Sequence, residues 1–450
     1  MGRQKNKSGV DRTMNDKDKI IKEKDDKIKE LEKEIEELKK IKEEYEEHKR
    51  HCTILDKPSF VKIDIRKRHK ISGQKLGHIG YSRKIPERID FVKRLILDIC
   101  PECQGKNLSK VQELRERCVE DIPKPANTII TKYEIERKYC RNCKKIIEAE
   151  VKDALPNSRF GLRVMLLVVF MKMGLALPSQ KIIKMLEAQY NLTISDGEIY
   201  KMLEQVAQAF GSYYKELQQK IRDAAVKHLD ETGWRINGKS HWLWIFINKE
   251  VALYVVRKQR SSSVPIKVLG KQKDKFIVND RYNSYNVLAK KTKCKLQICW
   301  AHLLRNVKDF AEHYDEAKYI RRQLKHIFKL ANRCKHQATE KQVGNLLHKI
   351  DLIAEKRYKH SEVRKFVKSI CKFHRENLFR FAANAEIDAT NNRAERGIRK
   401  AVIIRKISNG NRSKKGADIF GVLLSVVETL KLQGKNPLKE MQNIIQASGT

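Results

Sequence analysis

At 450 residues the chain is long enough for two to four domains and at least one large core, so size sets no limit on function. Lys and Arg number 97 against 56 Asp and Glu, a formal charge of +41 that runs through the middle and C-terminal thirds and favours a polyanionic partner, unless it merely reflects a Lys-rich proteome. The longest apolar run, residues 164–170, falls far short of the roughly 20 residues a bilayer span needs, and residues 1–10 carry no apolar signal region, which argues against a membrane or secreted protein.

Residues 16–49 are almost entirely Lys, Glu, Asp and aliphatics, with Ile21, Ile28, Leu31, Ile35, Leu38 and Tyr45 on a heptad a/d pattern interrupted by Lys24 and Lys42. The pattern predicts a coiled coil within residues 1–50, and with it self-association; a single solvated helix is the alternative. Residues 51–90 read as a basic, glycine-containing linker suited to phosphate contacts, centred on Arg66, Lys67, Arg68, His69 and Lys70. Within residues 91–152, Cys100 and Cys103 form one C-x-x-C pair and Cys140 and Cys143 another, 36 residues apart. Two such knuckles present four thiolates to one tetrahedral structural zinc, with residues 128–139 strand-like between them and Cys118 a bystander.

Residues 153–222 read as a helical domain with helices at 161–173, 179–190 and 195–213. Pro178-Ser179 marks one start, and Ser195 with Glu198 forms a capping box at another. The unit is either a DNA-contacting helix-turn-helix or a structural three-helix packing. Residues 227–236, 241–248 and 251–258 then read as three strands, the first turn being Asn237-Gly238. A helix at 262–270 leads to a strand at 276–279, and a helix at 284–291 to a strand at 295–300. Residues 301–385 are helical and basic, an insertion before a last helix that Asn391 and Asn392 are placed to cap.

Three antiparallel strands followed by alternating helices and strands is the order of a ribonuclease-H-like fold. The expected architecture is multidomain α+β: coiled coil, zinc-binding domain, helix-turn-helix-like domain, and a ribonuclease-H-like α/β catalytic domain in two parts, residues 223–300 and 386–450, around an all-helical insertion. In that order Asp230 lies on the first strand, Asp280 just after the fourth, and Glu395 in the final helix. Three carboxylates at one sheet edge make a site for two divalent metals. Strand alternation points Glu231 to the opposite face from Asp230, so it is not expected to ligate.

The combination resembles the insertion sequence 66 family of transposases, within the DDE group. The matching stretches are Asp230-Glu231-Thr232 with His241-Trp242-Leu243-Trp244, Asp280 followed by Tyr282-Asn283-Ser284-Tyr285-Asn286, Cys299-Trp300-Ala301-His302, Asn391-Asn392-Arg393-Ala394-Glu395-Arg396, and Arg405 to Gly410 with the helix that follows to Leu430. They cover nearly the whole chain together with the upstream modules. Thr390 departs from the pattern, since many relatives place Asp before the Asn-Asn pair; Glu395 is untouched.

The resemblance implies a transposase that binds the terminal inverted repeats of its element, cuts there and joins the 3′ ends to target DNA, in the nucleoid-associated cytoplasm of a prokaryote. Asp230, Asp280 and Glu395 become ligands of magnesium or manganese, hard cations that suit oxygen donors. His302 either contacts the scissile phosphate or orients a ligand, or else is structural; Trp300 is core or a base-stacking wedge. Arg396 and Arg399, one helical turn apart, and Arg412 and Lys414 in a loop at 408–416 are candidate DNA contacts, double-stranded DNA being the partner and a homodimer or higher homo-oligomer the acting form. The rival readings are a nuclease or resolvase that hydrolyses without joining, and an inactive transposase-derived DNA-binding protein.

Overall fold

The computed structural model describes residues 27–32, 34–39, 43, 88–114, 117–120 and 123–448. The chain divides into two units, Met1–Ile79 and Gly80–Thr450. In the first, the described residues are helical, and Ile28, Leu31, Ile35 and Leu38 are each at least half exposed. Ile21, Lys24, Lys42 and Tyr45, and the basic linker up to residue 87, lie outside the described residues.

In the second unit, the described residues between 88 and 136 form no helix or strand, with a turn at 101–103. Strands β1 (Arg137–Cys140) and β2 (Lys145–Glu148) form an antiparallel hairpin with Cys140 opposite Lys145. The strand expected at 128–139 is thus only four residues long, because β2 offers no partner beyond Glu148; residues 128–136 run without strand pairing.

Four helices follow where three were expected. The first, Leu162–Val169, widens into a π turn at Phe170–Gly174, where Leu175 N–H reaches back to the Phe170 carbonyl at 3.0 Å. Lys400 and Lys431 both donate to the Gly174 carbonyl, at 2.6 and 2.9 Å. Ser179–Tyr190 begins after Pro178, and Asp196–Ala209 carries the Ser195/Glu198 capping box. The expected single helix at 195–213 breaks at Phe210, whose ring is fully buried, and Gly211–Asp223 continues beyond it. Glycine is a poor helix former, and the buried ring anchors the bend.

A five-stranded sheet is ordered β5-β4-β3-β6-β7. β3 (Val226–Ile236), β4 (Lys239–Ile247) and β5 (Ala252–Arg257) are antiparallel, and β6 (Phe276–Asn279) and β7 (Lys295–Ile298) run parallel to β3. Asn237 and Gly238 at the β3–β4 turn both have positive φ, 47° and 73°, as a two-residue primed turn requires. Period-two alternation sorts the strand residues between two cores. Leu243, Ile245, Ile247 and Tyr254 face the first three helices before β3 together with the C-terminal helices Asn392–Ser408 and Lys414–Leu432. Leu229, Trp244, Phe246 and Leu253 face Gly211–Asp223, Ser263–Leu269 and Ser284–Thr292.

The free edge of β5 is closed by side chains of the Lys414–Leu432 helix. Ser425 Oγ accepts from Tyr254 N–H at 2.8 Å, and Thr429 Oγ1 accepts from Ala252 N–H at 3.0 Å. An edge so covered no longer offers a template for pairing with another chain. Gly397 brings the Asn392–Ser408 helix down onto the sheet; a Cβ there would collide with Ile245 Cδ1.

After β7 the chain forms helices Trp300–His313, Asp315–Arg333, Glu340–Glu355, Ser361–Lys368 and Arg380–Ala383, with short π and 3-10 turns and no strand among the described residues. They share a core of their own that reaches the sheet through Val278, Ile298 and Trp300. β7 ends two residues earlier than expected because Trp300 opens the next helix. Its ring is fully buried, stacked on Phe328 at 5.0 Å, and its indole N–H donates to the Leu378 carbonyl at 2.6 Å, so it is core.

Candidate active site

β3 is the central strand, and its parallel pairing with β6 runs Val226–Phe276, Lys227–Ile277, His228–Val278. The same register, carried two residues further, sets Asp230 level with Asp280 just past the end of β6. Alternation directs Asp230 to the face that carries Trp234 and Ile236, which is the face covered by the Asn392–Ser408 helix. Glu395, in the first turn of that helix, therefore reaches the same corner. The three acids come from three separated segments, each is only partly buried, and their carboxylates do not all lie within 4.8 Å of one another.

The electrostatics of Asp230 record the nearness of the other two. The Asp230 carboxyl is held well above the usual carboxylate range, first by loss of water and then by the charges of Glu231, Asp280 and Glu395, against one bond from Glu231 N–H at 2.9 Å. Burial also raises Asp280, opposed by the Tyr282 N–H at 3.1 Å and by Arg260 and Arg281. Carboxylates crowded like this repel one another unless a cation lies between them. Glu231 lies on the other face with both oxygens engaged, accepting from Tyr285 Oη at 2.6 Å and Arg260 Nε at 2.9 Å. Arg260 is itself held between the rings of Trp242 and Tyr282, at 4.6 and 4.1 Å.

His302 stands in the first turn of the Trp300–His313 helix, with Nδ1 3.5 Å from Glu395 Oε1. The distance fits an ion pair, but burial, then Arg305 and Arg281, push the imidazole down to about 4, so at neutral pH it is uncharged. Neither atom has a hydrogen-bond partner. Arg281, next to Asp280, is pushed down to about 10 by burial and lies over the Phe366 ring of the insertion at 5.1 Å.

Asn391 does not cap its helix, contrary to the reading of the sequence. Its side chain makes no cap bond; Nδ2 donates to the Leu229 carbonyl at 2.8 Å, and Oδ1 lies 3.1 Å from His228 Nδ1. Its backbone N–H points to Cys299 Sγ at 3.1 Å. One buried residue thus ties the start of the Glu395 helix to β3 and to the end of β7. His228 continues the chain to Asp388 at 3.2 Å, and that bond holds the Asp388 carboxyl down at about 2, with Arg393 as a further partner. His228 and Asp388 were missed because their bonds join segments more than 150 residues apart in sequence.

Of the candidate DNA contacts, Arg396 and Arg399 are exposed on the Glu395 helix, and Arg412 and Lys414 are exposed beside the next helix start. The loop holding the last two is anchored rather than free. Asn411 exchanges backbone bonds with Arg235 and Asn237 at 2.9 Å and accepts from Trp234 Nε1 at 2.7 Å. Gly410, at φ 105°, packs so closely on the Arg235 carbonyl that a Cβ would collide with it.

The cysteine pairs form two similar knuckles, each followed by a residue at positive φ, Gln104 at 60° and Lys144 at 50°. Backbone N–H groups of Cys103 and Cys143 chiefly lower the thiols of Cys100 and Cys140, favouring the thiolates a metal takes. The donor chemistry fits zinc, although among the described residues no three of these four sulfurs lie within ligand distance of one another. Cys118 is exposed and stands apart from both pairs in sequence.

Comparison with known proteins gives two family matches. Residues 157–419 match the transposase IS66 family, and residues 98–144, which include all four knuckle cysteines, match the zinc-finger binding domain of transposase IS66. The uncharacterized protein y4hP of Sinorhizobium fredii (strain NBRC 101917 / NGR234) is 20% identical over 391 residues, 77% of this chain and 70% of that protein. Among the described residues, no helix is long and apolar enough to cross a membrane.

Proposed function

The chain belongs to the IS66 family of transposases, and on that footing we propose that it is a DDE enzyme that cuts DNA at the ends of its element and joins the freed 3′ hydroxyls to target DNA. What supports this reading is the approach of Asp230, Asp280 and Glu395 from three separate segments, near enough that Asp280 and Glu395 both raise the Asp230 carboxyl, although the three do not all lie within 4.8 Å of one another. The strand order β5-β4-β3-β6-β7 supports a ribonuclease-H-like core, in which carboxylates at the ends of the two central strands face one substrate.

The three carboxylates would hold magnesium or manganese, since the donor set is all oxygen and Glu395 Oε1 is buried without a partner. Bound there, two such ions supply activation of the attacking oxygen and stabilisation of the leaving one. The remaining roles belong to the chain. Asn391 fixes the helix that presents Glu395. His302, neutral and beside Glu395, orients that carboxylate or contacts the scissile phosphate. Arg396, Arg399, Arg412 and Lys414 neutralise DNA phosphates from exposed positions, in keeping with the charge of +41. Cys100, Cys103, Cys140 and Cys143 hold a structural zinc.

The test is a strand-transfer assay with pre-cut element ends, magnesium and a target duplex. Joined product is the expected result. Cleavage with no joining would favour a hydrolytic nuclease or resolvase, and no metal-dependent chemistry at all would favour a DNA-binding derivative.

Two ends must be brought together for this reaction, and we assign that task to self-association through the heptad stripe of Ile28, Leu31, Ile35 and Leu38, exposed in the single chain. Removing residues 1–50 is expected to lower the mass measured by light scattering to that of a smaller assembly; an unchanged oligomer would remove the idea.

A further inference from the structure

We propose that Cys299, His302 and Glu395 form a separate site for a thiophilic divalent cation of the zinc class, and that filling it withdraws Glu395 from the magnesium-dependent reaction. The second half rests on the role of Glu395 proposed above; the first half does not. The thiol, one imidazole nitrogen and one carboxylate oxygen all lie within 4.8 Å of one another, and no other such group of three potential ligands occurs among the described residues.

The backbone builds this cluster. Cys299 closes β7 and precedes the helix that begins at Trp300, with its N–H bonded to the Asn279 carbonyl at 2.9 Å. His302 is three residues on, so it stands on the same side of the first turn as Cys299. Asn391 N–H, 3.1 Å from Cys299 Sγ, brings the Glu395 helix alongside. His302 Nδ1 and Glu395 Oε1 are buried atoms with no hydrogen-bond partner, a costly state for polar groups and one that a shared cation would end.

The donor set selects the ion. Sulfur, imidazole nitrogen and carboxylate oxygen suit zinc, whereas magnesium prefers oxygen throughout. Zinc bonds of about 2.0 to 2.3 Å in a tetrahedron set donors roughly 3 to 4 Å apart, a contraction the side chains can make from the spacing seen. Three protein ligands leave a fourth position for water. Binding requires the Cys299 thiol to release its proton to solvent, and it commits a Glu395 oxygen to the new ion. Zinc is therefore expected to inhibit a reaction that magnesium supports.

The experiment compares the full-length protein with Cys299→Ser and His302→Ala after equilibration with zinc and desalting. The parent is expected to retain one more equivalent of zinc than either variant, whatever the cysteine knuckles hold, and the variants to bind that equivalent more weakly by at least the roughly 10- to 100-fold that losing an outer-shell partner already costs. Equal zinc in all three overturns the site. Should the variants fail to fold, X-ray absorption at the zinc edge of the parent decides: a mixed sulfur and nitrogen/oxygen shell supports the site, and an all-sulfur shell overturns it.

For the inhibitory half, the zinc concentration that halves magnesium-supported cleavage should rise at least about 10-fold in Cys299→Ser. Equal inhibition of parent and variant overturns that half. If no form cleaves DNA, the inhibitory half falls together with the catalytic reading, while the retained zinc still judges the metal site.

Discussion

Asp280→Ala is expected to reduce cleavage and strand transfer by roughly 10³-fold or more, since a bound cation contributes several kcal/mol of transition-state stabilisation and each 1.4 kcal/mol is tenfold. Binding to the element ends should change little. Asp280 accepts the Tyr282 N–H at 3.1 Å, and the basic groups assigned to phosphate contact, Arg396, Arg399, Arg412 and Lys414, are exposed residues of other segments. Gel-shift titration beside a cleavage assay separates the two effects. Equal loss of binding and cleavage would make Asp280 a structural residue and undo its assignment as a ligand.

Magnesium is expected to stabilise the protein at neutral pH, and to do so much less in Asp230→Asn. The folded pKa of Asp230 lies above its unfolded value near 4, so folding favours the protonated form. The stability this group contributes is present in acid, below the unfolded pKa, and is lost as pH rises through the raised folded one. Metal-free protein should therefore lose stability from about pH 4 towards neutrality at this site. A cation that binds only the folded carboxylates reverses that loss, by about 2.7 kcal/mol at a hundred times its dissociation constant. Asp230→Asn removes the repulsion directly, so the metal-free variant should melt higher than the metal-free parent at neutral pH. Thermal melts at pH 5 and 8, with chelator and with magnesium, measure all of this. A parent whose melting point ignores magnesium at pH 8 would count against the carboxylate site.

Much of this architecture was legible because local rules wrote it. The apolar run Leu243, Trp244, Ile245 and Phe246 fitted a strand at 241–248, and the structure divides those residues between the two cores. Asn237-Gly238 announced the hairpin, and Ser195 with Glu198 announced a helix start. The same alternation separated Asp230 from Glu231, which Tyr285 and Arg260 engage on the far face. Elsewhere the local rules misled. Trp300 fitted a strand by composition, yet its ring docks between Phe328 and Phe379 and opens a helix. Asn391 stands where a cap belongs, but its amide bonds Leu229 instead.

What the sequence determined by itself was the order of most strands and helices and the motifs that carry the three candidate acids and the two cysteine pairs, because periodicity and motif spacing are properties of neighbouring residues. Tertiary structure alone decided how the Glu395 helix is fastened to β3, that His302 sits neutral beside Glu395, and that Cys299 joins them. Those facts depend on hydrogen bonds and burial between segments far apart in the chain, which no local pattern encodes.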